Sequence, residues 1–182
     1  MSSPHGIIVF GANGSGKTTL GRELAHVLGF KHMDHEAYAF KESEIPYTNQ
    51  RSNEECVAHM LADIESCRGF VLSAVAGDFG DVISQYYEFA VCVSAPLDLR
   101  LKRIEQRGYE LYGNRARKGG DMYEGQIKFI DFAASRPLER IDQWAATLTC
   151  PVIRVDGTED WRTNAEKIAK QYLKSTEDNY NG

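Results

Sequence analysis

The chain has 182 residues, 42% of them hydrophobic and 26% charged, which suits one globular domain with a single buried core. Its formal net charge of −5 argues against a general nucleic-acid-binding surface. No apolar run is long enough to cross a bilayer, and the four scattered cysteines form no C-x-x-C pair. We therefore expect a cytoplasmic protein, monomeric or homodimeric, that binds neither nucleic acid nor membrane.

The first predicted element is a short β-branched strand at residues 7–10, and a glycine-rich loop and a helix follow it. The loop has the G-x-x-x-x-G-K-[ST] spacing of a phosphate-binding P-loop, whose glycines allow backbone N–H groups to face one anion. This pattern predicts that Lys17 reaches the β- and γ-phosphates of ATP and that Thr18 binds Mg²⁺. The predicted ATP-binding residues of this segment are Gly11, Ala12, Asn13, Gly14, Ser15, Gly16, Lys17, Thr18 and Thr19.

Four further strands are predicted, and helices separate them. The second strand, at 30–34, ends in Asp34, and an irregular segment at 35–51 leads to a helix that begins with a capping box, Ser52 with Glu55. Two apolar strands follow, and Pro96 opens a helix that is predicted to end near Gly108. The remaining predicted strands lie at 70–75, 89–93 and 151–155.

The most polar part of the chain is residues 108–125, which contain five glycines and no hydrophobic period. We predict a long loop there that acts as a lid. Between residues 100 and 118, seven basic residues stand against two acidic ones, a local positive charge in an acidic chain. A helical stretch begins near residue 127 and should kink or break at Pro137. The last helix leads to a polar tail, 175–182, that is predicted to fray.

Five short strands separated by helices predict an α/β fold, a five-stranded parallel sheet with helices on both faces. We expect a single domain over residues 1–174, with its ligands beyond the carboxyl ends of the strands. Asp34, the turn at 73–78, Ser94 and the pair Asp156-Gly157 all follow predicted strands. They should therefore converge on the P-loop.

The class of P-loop protein follows from what accompanies the loop. The N-K-x-D and D-x-x-G strings of small GTPases are absent, and the chain is short for an AAA+ motor with its helical lid domain. The P-loop, Asp34 with Glu36, the turn at 73–78, the basic stretch 100–117 and Asp156-Gly157 together resemble the nucleoside monophosphate kinase superfamily. That superfamily, in its broad sense, includes adenylate, cytidylate, shikimate and gluconate kinases. The resemblance implies a P-loop kinase three-layer sandwich with a basic lid.

The resemblance also assigns roles around ATP. It implies that Arg107, at the stem of the lid, and Arg115 and Arg117, within it, clasp the phosphates, where arginine forks stabilise the transferring phosphoryl group. For Arg115 and Arg117 the alternative is a solvated basic helix end. By the same resemblance, Asp156 and Gly157 lie against the adenine.

The acceptor site is predicted less sharply. Met33-Asp34-His35-Glu36 resembles the D-x-D of shikimate kinases with Glu36 in the second place, whereas the triple glycine of those enzymes is missing from 73–78. Asp34 then serves Mg²⁺, accepts a hydroxyl proton, or simply caps the next helix. The remaining candidates carry alternatives as well: Arg51 binds the acceptor or lies at the surface, Asp78 holds acceptor or hydrated Mg²⁺ or caps a helix, and Arg136 binds the acceptor from the helix after the lid.

The function predicted from the sequence is an ATP- and Mg²⁺-dependent phosphotransferase with a small-molecule acceptor bound by residues 35–68. A nucleoside monophosphate requires an arginine clamp such as Arg51 with Arg136, and a hydroxyl compound requires Asp34 as a base. Two other classes stay open at this point: a nucleotide-binding regulatory protein with little turnover, and a weak ATPase.

Overall fold

The computed structural model describes residues 4–180, in which five strands alternate with eight α-helices. The strands are β1 His5–Phe10, β2 Lys31–Asp34, β3 Gly69–Ala74, β4 Tyr87–Ser94 and β5 Val152–Asp156. The helices are α1 Lys17–Leu28, α2 His35–Ala39, α3 Asn53–Glu65, α4 Asp81–Ser84, α5 Leu97–Tyr112, α6 Tyr123–Ser135, α7 Glu139–Ala145 and α8 Trp161–Tyr180. The predicted alternation of strands and helices is confirmed.

The sheet has the strand order β2-β3-β1-β4-β5, and every pairing in it is parallel. After β1 the chain crosses to β2, returns through β3, and then passes to β4 on the other side of β1. The strand order therefore reverses beside β1, and a crevice opens at such a point in an α/β sheet. The P-loop, which leaves the carboxyl end of β1, lies at this crevice.

Successive side chains of β1 enter two apolar cores, one on each face of the sheet, because strand residues alternate in direction. Ile7 and Val9 pack with α1 and α8, whereas Ile8 and Phe10 pack in the other core, toward α3 and α7. All four side chains are fully buried. The two cores hold β1, and with it the start of the P-loop, in a fixed position.

The predicted lid loop is wrong in its secondary structure. Helix α5 does not end near Gly108 but continues to Tyr112, and a 3₁₀ turn, Gly113–Ala116, follows it. Helix α6 begins within the lid, at Tyr123. The reason is packing, since Gly108 is buried against the side chain of Gln126 and leaves room for α6 to approach α5. A glycine that the sequence suggested as a helix end is thus a contact point between two helices.

Two other local predictions, the helix that begins with a capping box and the break at Pro137, are confirmed. Ser52 and Glu55 form the complete capping box that begins α3, and the chain breaks between α6 and α7 at Pro137. The four cysteines carry no disulfide. Helix α8 continues through residues 175–180, which were expected to fray, and 181–182 lie outside the described residues. Within residues 4–180, no helix is both long enough and apolar enough to cross a membrane.

Candidate functional site

The P-loop has a backbone that other residues adopt only under strain. Gly11, Gly14 and Gly16 have φ angles of +150°, +78° and +101°. A Cβ atom at Gly11 would collide with the carbonyl oxygen of Val93, and one at Gly14 would collide with that of Arg100. Positive φ and close approach of neighbouring backbone together explain why glycine stands at these positions.

Several polar groups of the P-loop are buried. Asn13 and Ser15 are almost inaccessible, and the Asn13 Oδ1 and Ser15 Oγ atoms have no hydrogen-bond partner within residues 4–180. Buried polar atoms in proteins are normally hydrogen-bonded, so an exception needs a physical reason. A loop whose polar groups are desolvated before any ligand arrives is suited to bind one, because little water must be displaced from it.

Lys17 is the electrostatic centre of the site. Its burial lowers the pKa of the ammonium group to about 8, although the carboxylates of Glu36 and Asp34 act in the opposite direction. The guanidinium groups of Arg107 and Arg136 lower the pKa further. The fold thus brings five of the predicted site residues within electrostatic reach of one another.

Asp34 caps the helix that follows it. Its Oδ1 accepts a hydrogen bond from the backbone N–H of Glu36 at 3.2 Å, so it is the N-cap of α2. Capping of the next helix, one of the roles that the sequence left open for Asp34, is therefore present in the structure. It coexists with a position beside Lys17, where the same carboxylate acts on the lysine charge.

Two arginines of α5 donate hydrogen bonds to backbone carbonyls of the P-loop. The Nη1 of Arg100, a buried residue, donates to the carbonyl of Asn13 at 3.3 Å. Arg103 donates through Nη1 to the Ser15 carbonyl at 3.3 Å and through Nη2 to the Gly157 carbonyl at 2.9 Å. Arg103 therefore ties the P-loop to the turn after β5. The sequence predicted no such role for either residue, although their i, i+3 spacing places both on one helix face.

A cavity of about 360 Å³, here called the nucleotide cavity, opens in front of the P-loop. Arg103, Arg107 and Gly157 line it together with residues 14–20. Trp161 and Asn164 also line it, and neither was among the predicted site residues. The structure places Trp161, the first residue of α8, at the wall of this cavity. The side chain of Asp156 accepts the backbone N–H of Thr158 at 2.8 Å and caps the turn there.

A second cavity, of about 460 Å³, lies between residues 36–48 and helices α5 and α6. We call it the aromatic cavity, because five rings line it. It shares Ile104 and Arg107 with the nucleotide cavity, and Glu36 lines it as well. Its aromatic residues are Phe40, Tyr47, Tyr112, Phe129 and Phe132.

Four of the predicted site residues, Arg51, Asp78, Arg115 and Arg117, lie in neither the lining of the nucleotide cavity nor that of the aromatic cavity. Arg51 donates through Nη1 to the carbonyls of Ala37, Tyr38 and Phe40, at 3.3, 3.0 and 2.7 Å, and so fixes the end of α2. Asp78 is exposed and lines a separate cavity of about 410 Å³ beside Trp144. The other two, Arg115 and Arg117, lie at the 3₁₀ turn in the segment 108–125 that the sequence predicted as a lid.

The lid arginines contact the lid itself. Arg115 forms a two-point ion pair with Asp121, with its Nη2 2.8 Å from Oδ2, and also donates to the Glu44 carbonyl at 3.3 Å. The guanidinium of Arg117 lies over the Tyr109 ring, 6.0 Å from its centroid. The guanidinium carbon of Arg136 lies 5.4 Å from the ring centroid of Phe132. Phe132 lines the aromatic cavity.

The donor set suits a cation bound mainly through a ligand. No cluster of three or more His, Cys, Asp or Glu side chains that could hold a metal occurs in residues 4–180. Thr18 lines the nucleotide cavity, and Asp34 is near Lys17. Mg²⁺ commonly keeps several waters and binds through substrate phosphates with one or two protein groups, so these two residues fit it better than they fit a protein-caged metal.

Known proteins resemble this chain in sequence and in fold. Residues 7–128 match the AAA_18 family model, described as an AAA domain, and this range includes the P-loop and four of the five strands. The uncharacterized protein YqaC of Bacillus subtilis (strain 168) is 29% identical over 160 residues, which cover 82% of this chain and 87% of YqaC.

Two solved structures resemble the whole fold. A gluconokinase from Sinorhizobium meliloti 1021 has a TM-score of 0.59 at 15% identity, with 99% of this chain and 98% of that one covered. A shikimate kinase from Acinetobacter baumannii, in complex with shikimate, has a TM-score of 0.55 at 17% identity, with 95% of each chain covered. At these identities the likeness establishes the fold, that of small P-loop kinases.

Proposed function

The chain belongs to the AAA domain family, and from this premise we propose that it is an ATP- and Mg²⁺-dependent phosphotransferase with a small-molecule acceptor. One observation carries the proposal. Lys17 lies buried in the P-loop with Asp34, Glu36, Arg107 and Arg136 around it, where two cavities share Arg107. A nucleotide-binding regulator needs only the first cavity, whereas a transferase needs a second ligand beside the phosphates.

The proposed division of labour follows from the positions of the side chains. ATP occupies the nucleotide cavity, where the P-loop N–H groups and Lys17 hold its phosphates. Arg107, which lines both cavities, adds positive charge where the phosphoryl group moves. Bound Mg²⁺, held through Thr18 and Asp34, supplies charge neutralisation on the phosphates. The acceptor enters the aromatic cavity, and Asp34 or Glu36 lies near its reacting group.

The direct test replaces the lysine. We expect Lys17→Ala to lower kcat/KM for phosphotransfer by at least about 100-fold, because it removes a preorganised charge from the transition state. Lys102→Ala, which changes an exposed lysine of α5, is the matched control. Initial rates of ADP formation with Mg²⁺ give the comparison, and circular dichroism with thermal melting checks the fold. Unchanged turnover in Lys17→Ala would contradict the proposal.

The same assay separates the three functional classes. It compares ATP consumption with nucleoside monophosphates, with hydroxyl compounds and with no acceptor. Consumption that depends on an acceptor, with a phosphorylated product, is the expected outcome. Equal consumption without any acceptor would indicate a weak ATPase, and ATP binding without consumption would indicate a regulatory protein.

A further inference from the structure

The charges that line the aromatic cavity constrain what can bind there. Among its described lining residues, Arg107 is the one cation, against the carboxylates of Glu36 and Asp121. Asp121 is paired with Arg115 through two hydrogen bonds to the guanidinium, so this pair offers little net charge to a ligand. What remains is Glu36 with Arg107, and Arg107 also faces the nucleotide cavity. An anionic acceptor would lack a cation of its own.

Neither Arg51 nor Arg136, the arginines that could have supplied one, is among the residues that line the aromatic cavity. The Nη1 of Arg51 donates hydrogen bonds to three backbone carbonyls at the end of α2. Arg136 stacks over Phe132 and lies within electrostatic reach of Lys17. A nucleoside monophosphate or a carboxylic acid needs a bidentate arginine to offset the cost of losing its water. The described cavity offers none beyond the arginine that the ATP phosphates also need.

The apolar residues that line the aromatic cavity also favour an uncharged ligand. Four lining residues are strongly exposed, with Ile45 at 42%, Tyr47 at 47%, Phe132 at 50% and Leu111 at 59%. Rings of Phe40 and Tyr47 meet edge to face, and those of Phe129 and Phe132 stack. Aromatic walls favour a flat ring as ligand, and about 460 Å³ accommodates a small molecule of nucleoside size.

Glu36 lines the aromatic cavity and lies within electrostatic reach of Lys17. Its carboxylate is the charge that most strongly favours protonated Lys17. It also acts on the hydroxyl of Tyr47, which lines the same cavity. By contrast, Asp34 does not line the aromatic cavity, and one of its oxygens is held by the N-cap hydrogen bond. Glu36 is therefore the carboxylate that faces the acceptor.

We propose that the acceptor is an uncharged, ring-bearing alcohol of nucleoside size, and that Glu36 accepts its hydroxyl proton. The hydroxyl oxygen forms a bond to the γ-phosphorus, and the bond from that phosphorus to the β–γ bridging oxygen breaks. ADP leaves with the electron pair, and the hydroxyl proton moves to the Glu36 carboxylate. This inference rests on the proposed phosphotransferase activity and decides between the two acceptor classes that the sequence left open.

The first experiment uses matched pairs of acceptors. Adenosine, guanosine, cytidine, uridine and thymidine are compared with their 5′-monophosphates, and shikimate and gluconate serve as anionic alcohols. We expect at least one nucleoside to be phosphorylated with kcat/KM about tenfold or more above that of its monophosphate. A preference for a monophosphate or a carboxylate overturns the inference, and so does the absence of transfer to every nucleoside in a protein that binds ATP.

Calorimetry with each acceptor alone separates this inference from the proposed function. Binding of the uncharged nucleoside in preference to its monophosphate tests the cavity without any turnover. Failure to bind ATP would overturn the phosphotransferase, whereas ATP binding with a preference for the monophosphate would overturn only the acceptor class.

The second experiment tests Glu36. We expect Glu36→Gln to lower kcat by at least about 100-fold, the usual contribution of a general base. The Kd for ATP should rise by much less than kcat falls, because losing the Glu36 charge only weakens the support that protonated Lys17 receives, whereas proton transfer to this carboxylate is lost. Glu36→Asp should restore part of kcat, and Glu42→Gln, in the same segment but outside the cavity, is the control. Unchanged kcat in Glu36→Gln would exclude Glu36 as the proton acceptor.

Discussion

The two cavities that meet at Arg107 are built by different means. The nucleotide cavity is largely backbone: glycines with positive φ, and carbonyl groups that Arg100 and Arg103 hold in place. The aromatic cavity is made of side chains, half of them exposed, from residues 36–48 and two helices. A cavity that depends on glycine backbone tolerates few substitutions. The binding properties of a cavity built from side chains change when those side chains are replaced. In the proposed phosphotransferase, the first cavity binds the nucleotide and the second determines the acceptor.

Replacing one glycine by alanine in each cavity should show this contrast with the largest effect. A Cβ atom at Gly157 would collide with the carbonyl oxygen of Ser15 and approach that of Ser94 within 3.0 Å, and neither backbone can yield without moving the P-loop. We expect Gly157→Ala to lower the free energy of unfolding by about 1–3 kcal/mol, as overpacking does. We also expect it to weaken ATP binding by about tenfold or more.

Gly125→Ala is the matched variant, because Gly125 lies in α6 and lines the aromatic cavity. Its Cβ would meet no heavy atom within 4 Å, and alanine favours a helix over glycine by about 1 kcal/mol, so stability should rise. ATP affinity should stay unchanged. Urea unfolding and calorimetric titration with ATP measure both quantities, and effects of the same sign in the two variants would contradict the contrast.

The same contrast explains what the sequence could predict. The P-loop and the ends of the strands were predictable because spacing, glycine and burial follow local rules. Lys17, Asp34, Glu36 and Arg107 do come together as expected. Arg103 was missed because the carbonyls it reaches, on the P-loop and after β5, depend on where α5 crosses the sheet. No local pattern contains that information.

The acceptor side was harder for the same reason. Gly108 indicated the end of a helix, and only its contact with Gln126 shows that it lies in the middle of one. Arg51 was placed correctly before α3, but its guanidinium caps α2, and the basic lid hides an ion pair between Arg115 and Asp121. Each of these outcomes is set by a tertiary contact, and composition cannot distinguish such an arginine from one that binds a ligand.

The lid provides the next test of the contrast. We expect Arg115→Ala combined with Arg117→Ala to lower kcat by about tenfold with little change in the Kd for ATP, because a closing lid acts mainly in the transition state. The exposed ion pair contributes little to stability, so the melting temperature should hardly change.

Asp121→Asn distinguishes two roles of Arg115. If Arg115 leaves Asp121 to contact the phosphates, the variant releases it and kcat should stay within about twofold of the original. If the ion pair only shapes the wall of the aromatic cavity, Asp121→Asn should raise the KM for the acceptor. We expect the first outcome; a kcat as low as that of the double variant would contradict it.

The pH dependence of ATP binding provides the last test of the contrast. Burial lowers the pKa of Lys17 to about 8, and Glu36, Asp34, Arg107 and Arg136 are the charges that face it. The triphosphate adds negative charge and must raise this pKa, so ATP binding takes up a proton above pH 8 and none well below it. Since the protonated form binds ATP, affinity should fall about tenfold from pH 7 to pH 9, with an uptake of about half a proton at pH 8.

Calorimetry at pH 8 in two buffers of different ionisation enthalpy measures that uptake, and Lys17→Arg, whose side chain keeps its charge, should abolish it. The aromatic cavity should behave differently in the same titration. Burial raises the pKa of Tyr47, which lines this cavity, to about 12, so its hydroxyl does not titrate between pH 7 and pH 9. Binding of an uncharged acceptor should therefore stay constant over this range while ATP binding weakens. If both weaken together, the two cavities share the proton of Lys17 and are not independent sites.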